Sequence, residues 1–258
     1  MSSGFTVATV DRVAVLTIDR PKANALDAAT SVAMGEAFVG FEQDDAVRVS
    51  IITGAGSRFF CAGWDLAAAG DGESFDAYWG VGGFGGFCDL APRTKPVIAA
   101  VNGMAVGGGF EIAMAADMIV AAEHAEFFLP EAAIGVLPDA ASVRLPKLLP
   151  PHIAREMLLT GRRMGAVEAQ QRGLANHVVP ESNLLAAALQ LAQQVVAAAP
   201  LSVAAILDIG RRSEFMDAAN ALEAMKEYAS YRAAIDSRDA EEGRHAFEER
   251  RPPQWRGE

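Results

Sequence analysis

Two glutamates, Glu111 and Glu131, carry the chemical interest of this chain. Glu111 follows Gly107-Gly108-Gly109-Phe110, where the apolar run Pro96-Val97-Ile98-Ala99-Ala100-Val101 gives way to a glycine-rich turn and a helical pattern over residues 108–116. Glycines at a strand-to-helix junction admit backbone geometries closed to other residues and let a ligand approach the main chain. The helix start adds free N–H groups and the positive end of a dipole, so the junction can hold an anion or a developing oxyanion. Glu111 falls in the first turn among Phe110, Ile112 and Ala113, where burial would raise its pKa. Glu131 lies in Leu129-Pro130-Glu131-Ala132-Ala133-Ile134-Gly135-Val136-Leu137-Pro138-Asp139, after a short strand. Two carboxyl groups at one site can divide acid–base work, one ionised and taking a proton from water, the other protonated and delivering one. Spacing alone does not bring them together, and two ordinary capping or surface glutamates are the alternative.

The elements that must position these groups follow from pattern. Residues 5–10 and 13–18 read as a hairpin closed by Asp11-Arg12. Asp27 reads as the N-cap of a helix over residues 28–43. Buried strands are expected at residues 49–53 and 96–101, and short strands at 118–121, 126–129 and 177–179. Helices are expected at 151–160 and 166–172, and almost throughout from Glu181 onward, with breaks near Pro200 and Ser213. Strands alternating with helices up to about residue 180 make an α/β core. The later helices lack a strong core of their own and would dock on that core or on another subunit. Residues 70–90, with Trp79, Phe84 and Phe87 among many glycines, read as a mobile loop or broken helix forming a pocket wall.

Composition removes several classes of function. The 258 residues are 51% apolar and carry 22 Lys+Arg against 33 Asp+Glu, a net charge of −11. Such a chain can bury a large core, and its acidic balance argues against nucleic-acid binding. A phosphorylated small molecule stays open, because a few local Lys and Arg suffice for it. Cys61 and Cys88 make neither a disulfide framework nor a CxxC site, as expected of reduced thiols in a cytoplasmic protein. The start, MSSGFTVATV, lacks the features of a signal peptide, and no apolar run reaches the ~18 residues of a membrane helix. Gly80-Val81-Gly82-Gly83-Phe84-Gly85 fits GxGxxG but lacks the βαβ context of a dinucleotide site. No GK[ST], HExxH or GxSxG is present. His124, His152, His177 and His245 therefore read as surface or packed residues, and Cys61 as packing.

Linked motifs over nearly the whole chain resemble the crotonase superfamily, the enoyl-CoA hydratase/isomerase family. They run from DRPKANAL (residues 19–26) through FCAGWDL, KPVIAAVNG, GGGFE and LPEAAIGVLPD to LTGRRMGAVEAQQRGLAN (residues 159–176). Within the family, CAGWDL, GVGGFGGF, RLPKLLPP and FEERRPPQW point toward one dehydratase subfamily. The resemblance implies a spiral of ββα units over residues 1–195, holding the active site. It implies a C-terminal helical region, residues 196–258, that assembles a homotrimer or a dimer of trimers. The implied substrate is an acyl-CoA thioester, with coenzyme A part of the substrate and no other cofactor or metal.

The resemblance also assigns roles by position. The thioester oxygen would accept hydrogen bonds from the backbone N–H groups of Trp64 and Gly108, and Glu111 and Glu131 would move the protons of water addition or removal. Ala23, Ala25, Ala62 and Asp65 match the adenine-side contacts, and Lys22 is added as a phosphate contact on charge alone. Having both glutamates favours a hydratase or dehydratase over an enoyl-CoA isomerase, since isomerases of the family often lack the first. A catalytically silent acyl-CoA-binding subunit is a further alternative, distinguished by binding without turnover. The chain departs from the family in Pro138-Asp139-Ala140-Ala141-Ser142-Val143-Arg144, which lacks the usual Gly-Gly pair and is one residue shorter. That departure bears on the acyl group and on water positioning. Asp139 could meet a cationic acyl end such as a trimethylammonium, or cap a loop. Trp79, Phe84 and Phe87 could face such a cation, or simply pack.

Overall fold

The structure, a computed structural model, describes residues 4–74 and 77–258. The chain opens with β1 (Phe5–Val10) and β2 (Val13–Ile18), then α1 (Ala28–Gln43), β3 (Val49–Gly54), β4 (Phe59–Cys61) and α2 (Leu66–Gly70). It continues through β5 (Val97–Val101), β6 (Met104–Val106), α3 (Gly108–Ala115), β7 (Met118–Ala122) and β8 (Glu126–Phe128). A 3₁₀ turn at Glu131–Ile134 leads to α4 (Asp139–Leu148), α5 (Pro151–Thr160), β9 (Met164–Gly165), α6 (Ala166–Gln171) and β10 (His177–Val179). The rest is helical: α7 (Leu184–Val196), α8 (Pro200–Ser213), α9 (Ala218–Ala224), α10 (Ala229–Ile235) and α11 (Arg238–Glu249). The hairpin and the cap are where the sequence puts them. Asp11 and Arg12 both take positive φ (46° and 68°), as a two-residue hairpin turn requires. The Asp27 carboxylate accepts from Thr30 N at 2.8 Å.

Two sheets share the core. One has six strands in the order β1-β2-β3-β5-β7-β10, parallel apart from the β1–β2 hairpin. The other has four, β4-β6-β8-β9, of which the first three are parallel. Each of the pairs β3/β4, β5/β6 and β7/β8 gives one strand to each sheet before the chain turns helical, so the molecule is a spiral of ββα turns. Period-2 alternation divides the buried side chains of the large sheet. Leu16, Ile18, Ile52, Ala99, Val101 and Ala121 join the main core with α1 and α3. Val13, Val15, Val49, Ile51, Ile98, Ala100 and Val120 face α7 through Leu184, Ala188 and Ala192. β5 is buried along its whole length, as a central parallel strand must be.

The glycine-aromatic stretch, of which residues 75 and 76 lie outside the described residues, is irregular apart from a kinked 3₁₀ turn at Phe84–Gly86. Phe87 is 2% exposed and stacks on Phe38 of α1 with ring centroids 4.8 Å apart. Phe87 is therefore part of the core. Residues 138–144, read from sequence as a loop, instead enter α4, with Asp139 in its first turn. Among the described residues no single helix is long and apolar enough to cross a membrane.

Buried amides of side chains pin the turns that lead into the small sheet. Asn102, after β5, donates to Gly56 O (2.7 Å) and Phe59 O (3.2 Å) and accepts from Gly54 N (3.0 Å). Asn24 donates to Ala55 O (3.0 Å) and to the same Phe59 O (2.9 Å). Replacing Asn102 with Ala strands these backbone groups away from water. The variant should lose roughly 2–3 kcal/mol of stability, given the cost of unsatisfied buried polar groups. Urea denaturation followed by circular dichroism measures it.

Candidate active site

The small sheet sets out the site. Trp64 lies three residues beyond the end of β4, Gly108 two beyond β6 and Glu131 three beyond β8. These strands are parallel neighbours, so the three positions emerge from the same edge at the spacing of adjacent strands, roughly 4.8 Å.

Trp64 is held by pairing with Leu26. Leu26 N donates to Gly63 O at 2.8 Å and Asp65 N donates to Leu26 O at 2.9 Å. In that ladder Gly63 and Asp65 spend their groups on Leu26, and Trp64's own N–H faces the opposite side. Gly63 takes φ +85°, and a Cβ there would lie 2.9 Å from Gly108 N. No side chain fits between the two amides. Gly108 opens α3, so its N–H has no acceptor within the helix and adds to the positive end of the helix dipole. The Gly63–Trp64 backbone is thus brought close to the start of α3, where Gly108 opens the helix. The indole of Trp64 is fixed separately. Its Nε1 donates to Glu73 Oε1 at 2.7 Å, and the other Glu73 oxygen accepts from Ala28 N at the start of α1 (2.9 Å).

The two glutamates meet beside these amides. Gly107, at φ +55°, leads into α3, and a Cβ on it would strike Glu131 Oε1. Its N–H donates to Phe128 O at 3.0 Å, tying the start of α3 to the end of β8. Glu111 Oε1 accepts from Ala141 N at 2.8 Å. Burial pushes the Glu111 carboxyl above its ordinary range; the amides of Ala141 and Ala140 and the nearby Arg144 cation pull it back, while Asp139 adds to the rise. Glu131 has less support. Its Oε2 is buried with no hydrogen-bond partner among the described residues. Burial raises its pKa to about 7, opposed by its own backbone N–H and reinforced by the charge of Glu111. Both carboxyls are raised by burial, but only Glu111 has amides that offset the rise, and Glu131 is pushed up to about 7.

The remaining expected positions gather on the other side of the Trp64 loop. Ala62 N donates to Ala23 O at 3.1 Å, which sets the segment holding Ala23 and Ala25 along Ala62–Asp65. Asp65 Oδ2 accepts from Arg20 Nη2 at 3.1 Å, and Arg20 Nη1 also pairs with Asp27 at 2.8 Å. Lys22 is exposed and takes φ +74°. Cys61 is buried, its thiol pushed up to about 12 by burial, which fits packing. Three participants escaped sequence reasoning: Glu73, Arg144 and the Ala140–Ala141 amides. Arg144 donates to Cys88 O at 2.5 Å and sits 3.6 Å from Asp89. The departure from the family pattern was the signal for the amides, because the shortened segment is where α4 begins.

With the geometry in place, comparison with known proteins is informative. A family model for enoyl-CoA hydratase/isomerase matches residues 9–258. Carnitinyl-CoA dehydratase of Salmonella typhi is 53% identical over 245 residues, 94% of each chain. The dehydratase subfamily suggested by the motifs is this one. The solved enoyl-CoA hydratase from Mycobacterium tuberculosis H37Rv superposes with a TM-score of 0.92 at 38% identity, covering 100% of both chains. That from Bacillus anthracis gives 0.91 at 31% identity, covering 99% of this chain and 100% of its own.

The raised pKa of Glu131 has a consequence for stability. A carboxyl whose folded pKa exceeds its unfolded value adds stability below about 4.5, the ordinary value, and loses it as pH rises through about 7. Glu131→Gln keeps the neutral form at every pH. It should match the parent at pH 4 and be more stable at pH 8 by on the order of 1–2 kcal/mol, after allowance for solvent screening of a half-buried group. Urea titrations at the two pH values measure the difference, and an equal effect at both would contradict the burial argument.

Proposed function

The chain belongs to the enoyl-CoA hydratase/isomerase family and is a hydro-lyase, and on that premise we propose how its site divides the work and which thioester it takes. The proposed reaction adds water to, or removes it from, the Cα–Cβ bond of a coenzyme A thioester. In hydration, Glu111 takes a proton from water as its oxygen bonds to Cβ. The π pair moves toward Cα and the thioester oxygen, where the Trp64 and Gly108 N–H groups stabilise the developing negative charge. Glu131 then gives its proton to Cα, leaving the 3-hydroxyacyl thioester. Dehydration runs the same steps backward, with Glu131 taking the Cα proton and Glu111 protonating the departing hydroxyl.

The observation that carries this reading is the asymmetry of the pair at one helix start. Amides and a cation surround Glu111, while Glu131 is buried with an unpartnered oxygen and titrates near 7. An isomerase or a silent binding subunit has no need of a base and an acid set apart in this way. The steps use only carboxyl groups, main-chain amides and water, with coenzyme A entering as part of the substrate. The acyl group is proposed to resemble that of carnitinyl-CoA, on the 53% identity to the Salmonella enzyme. Ala23, Ala25, Ala62 and Asp65 are proposed to line the adenine end and Lys22 to meet a phosphate, which their grouping along the Trp64 loop supports. Residues 1–195 would then form the catalytic unit and residues 196–258 the helical assembly region of a cytoplasmic homotrimer or dimer of trimers. Exposed Ile206, Phe215, Leu222, Ile235 and Phe247 on the last helices support an assembly role.

Loss of the enoyl-thioester absorbance of crotonyl-CoA reports hydration. Glu111→Gln and Glu131→Gln should each lower kcat by about 10²–10⁴, the range for losing a positioned acid or base, while thioester binding persists by calorimetry. Parental activity in either variant would refute the pairing, and tight binding without turnover in the parent would support the silent-subunit alternative. Because hydration needs protonated Glu131, kcat/KM for hydration should fall as pH rises past about 7. A profile flat from pH 6 to 9 would remove the acid role.

A further inference from the structure

One face of α4 is turned inward. Ala141 and Leu145 are buried and Arg144 is half-buried, while Ser142 and Val143 between them are exposed. Positions three and four apart share a helix face. Ala141 gives its amide to Glu111 Oε1 at 2.8 Å. Arg144 lies about one turn further along the same face, and its charge acts on Glu111. Its Nη2 donates to Cys88 O at 2.5 Å, and Asp89 Oδ1 stands 3.6 Å from that nitrogen. Its Nη1 is buried and has no hydrogen-bond partner among the described residues.

A bond to one carbonyl does not call for a guanidinium. A neutral amide side chain makes such a bond without taking a charge out of water. Nor does Asp89 account for the charge. Its side chain is 71% exposed and the contact is long, so water and salt screen the pair. The Cys88 thiol stays neutral, pushed up to about 12 by burial. Glu111 is the remaining anion that the buried side of Arg144 can serve. The other groups around Glu111 give it no help. Asp139 repels it from the exposed side of α4, and Glu131 repels it from the 3₁₀ turn. β4 brings the Cys61 thiol, also held neutral by burial, and β5 and β6 carry no ionisable side chain. Among the described residues Arg144 is the one cation acting on Glu111.

We propose that Arg144 is a positioning residue for the reaction: anchored on Cys88 O, it holds a positive charge against Glu111 and keeps that carboxylate ready to take a proton from water. The inference rests on the proposed division of work between the two glutamates. The anchor is 56 positions upstream, so the segment after the Phe84–Gly86 turn fixes where the cation stands. The same field makes Glu111 a weaker base. The gain therefore lies in the fraction of enzyme that is ionised, and it shows below neutrality.

The test is the pH profile of kcat/KM for crotonyl-CoA hydration in the parent, Arg144→Met and Arg144→Lys. Methionine keeps the stem and removes the charge; lysine keeps the charge and loses the fork. Without the cation Glu111 binds its proton more tightly, so the acidic limb in Arg144→Met should move to higher pH. The ratio of kcat/KM at pH 6.5 to that at pH 5 should rise by about threefold or more over the parent, within the range for one opposite charge near a carboxylate. In Arg144→Lys the ratio should stay within about twofold of the parent. The basic limb near 7, set by Glu131, should stay in place. Taking each ratio within one protein cancels any loss of folded material. A purely structural anchor would lower activity evenly across the profile, so a ratio unchanged in Arg144→Met overturns the proposal, as does an equal rise in Arg144→Lys. Carbon NMR of the glutamate carboxyls follows the same ionisation in the substrate-free enzyme, with the Glu111 signal identified by its loss in Glu111→Gln. Its midpoint should rise in Arg144→Met, and a midpoint that stays put overturns the proposal. This readout needs no turnover, whereas failure of the hydration reading would show as parental activity in Glu111→Gln.

Discussion

Two carboxyl groups that share a poorly solvated space cannot both ionise cheaply, and much of this molecule is arranged around that constraint. Each charge raises the energy of the other, so whichever side chain has more donors keeps its charge and the other keeps its proton. Here the donors are the amides at the start of α4, which serve Glu111, while Glu131 projects from a 3₁₀ turn that offers it little. Such a pair titrates as a unit, and the two protonation states belong to the pair as much as to either residue. The local departure from the family pattern, alanines where a glycine pair is usual, falls at the segment whose amide bonds the Glu111 carboxylate.

The scaffold solves a second problem, that of bringing together residues far apart in the chain. A spiral with one small-sheet strand per turn delivers the Trp64, Gly108 and Glu131 positions to one edge, and strand pairing sets their separations. The polar anchors lie behind this edge. Asn24 and Asn102 converge on one carbonyl, Phe59 O, at the entrance to β4. Arg20 joins the first loop, the cap of α1 and Asp65 through ion pairs at 2.8 and 3.1 Å. These groups act through geometry: they hold the backbone from which the proposed oxyanion donors emerge.

Much of this was legible in the residues. Long β-branched runs bounded by turn residues marked β1, β2, β3, β5 and β7, and Asp27 marked the start of α1. The glycine run before Glu111 announced the junction that the structure places beside the second glutamate. Only β8 of the small sheet was legible, through the apolar run of Phe127, Phe128 and Leu129; all four of its strands have two or three residues, too short for alternation to register. α4 was missed because Pro146 lies inside it and Pro138 caps it with no side-chain hydrogen bond, so neither its start nor its interior carries the usual helix signal. Glu73 and Arg144 were missed for a different reason. Their partners, Ala28 and Cys88, are separated from them by 45 and 56 positions, and no local pattern reports such a contact. For Phe87 the sequence left packing and a ligand face open, and its contact with Phe38 puts it in the core.

The burial of β5 on both faces implies an uneven stiffness in the site it feeds. Its amides are paired with β3 and β7, sealed by the main core on one side and by α7 on the other, and belong to the class that exchanges with solvent only on global opening. Asn102, β6 and the Gly108 amide follow directly from it. The Trp64 segment instead hangs on the first loop, through main-chain bonds to Ala23 and Leu26 and the ion pair of Asp65 with Arg20. One half of the proposed thioester grip is thus continuous with the central sheet, and the other takes its position from residues 20–26, so a change in that first loop would be felt at Trp64 before it is felt at Gly108.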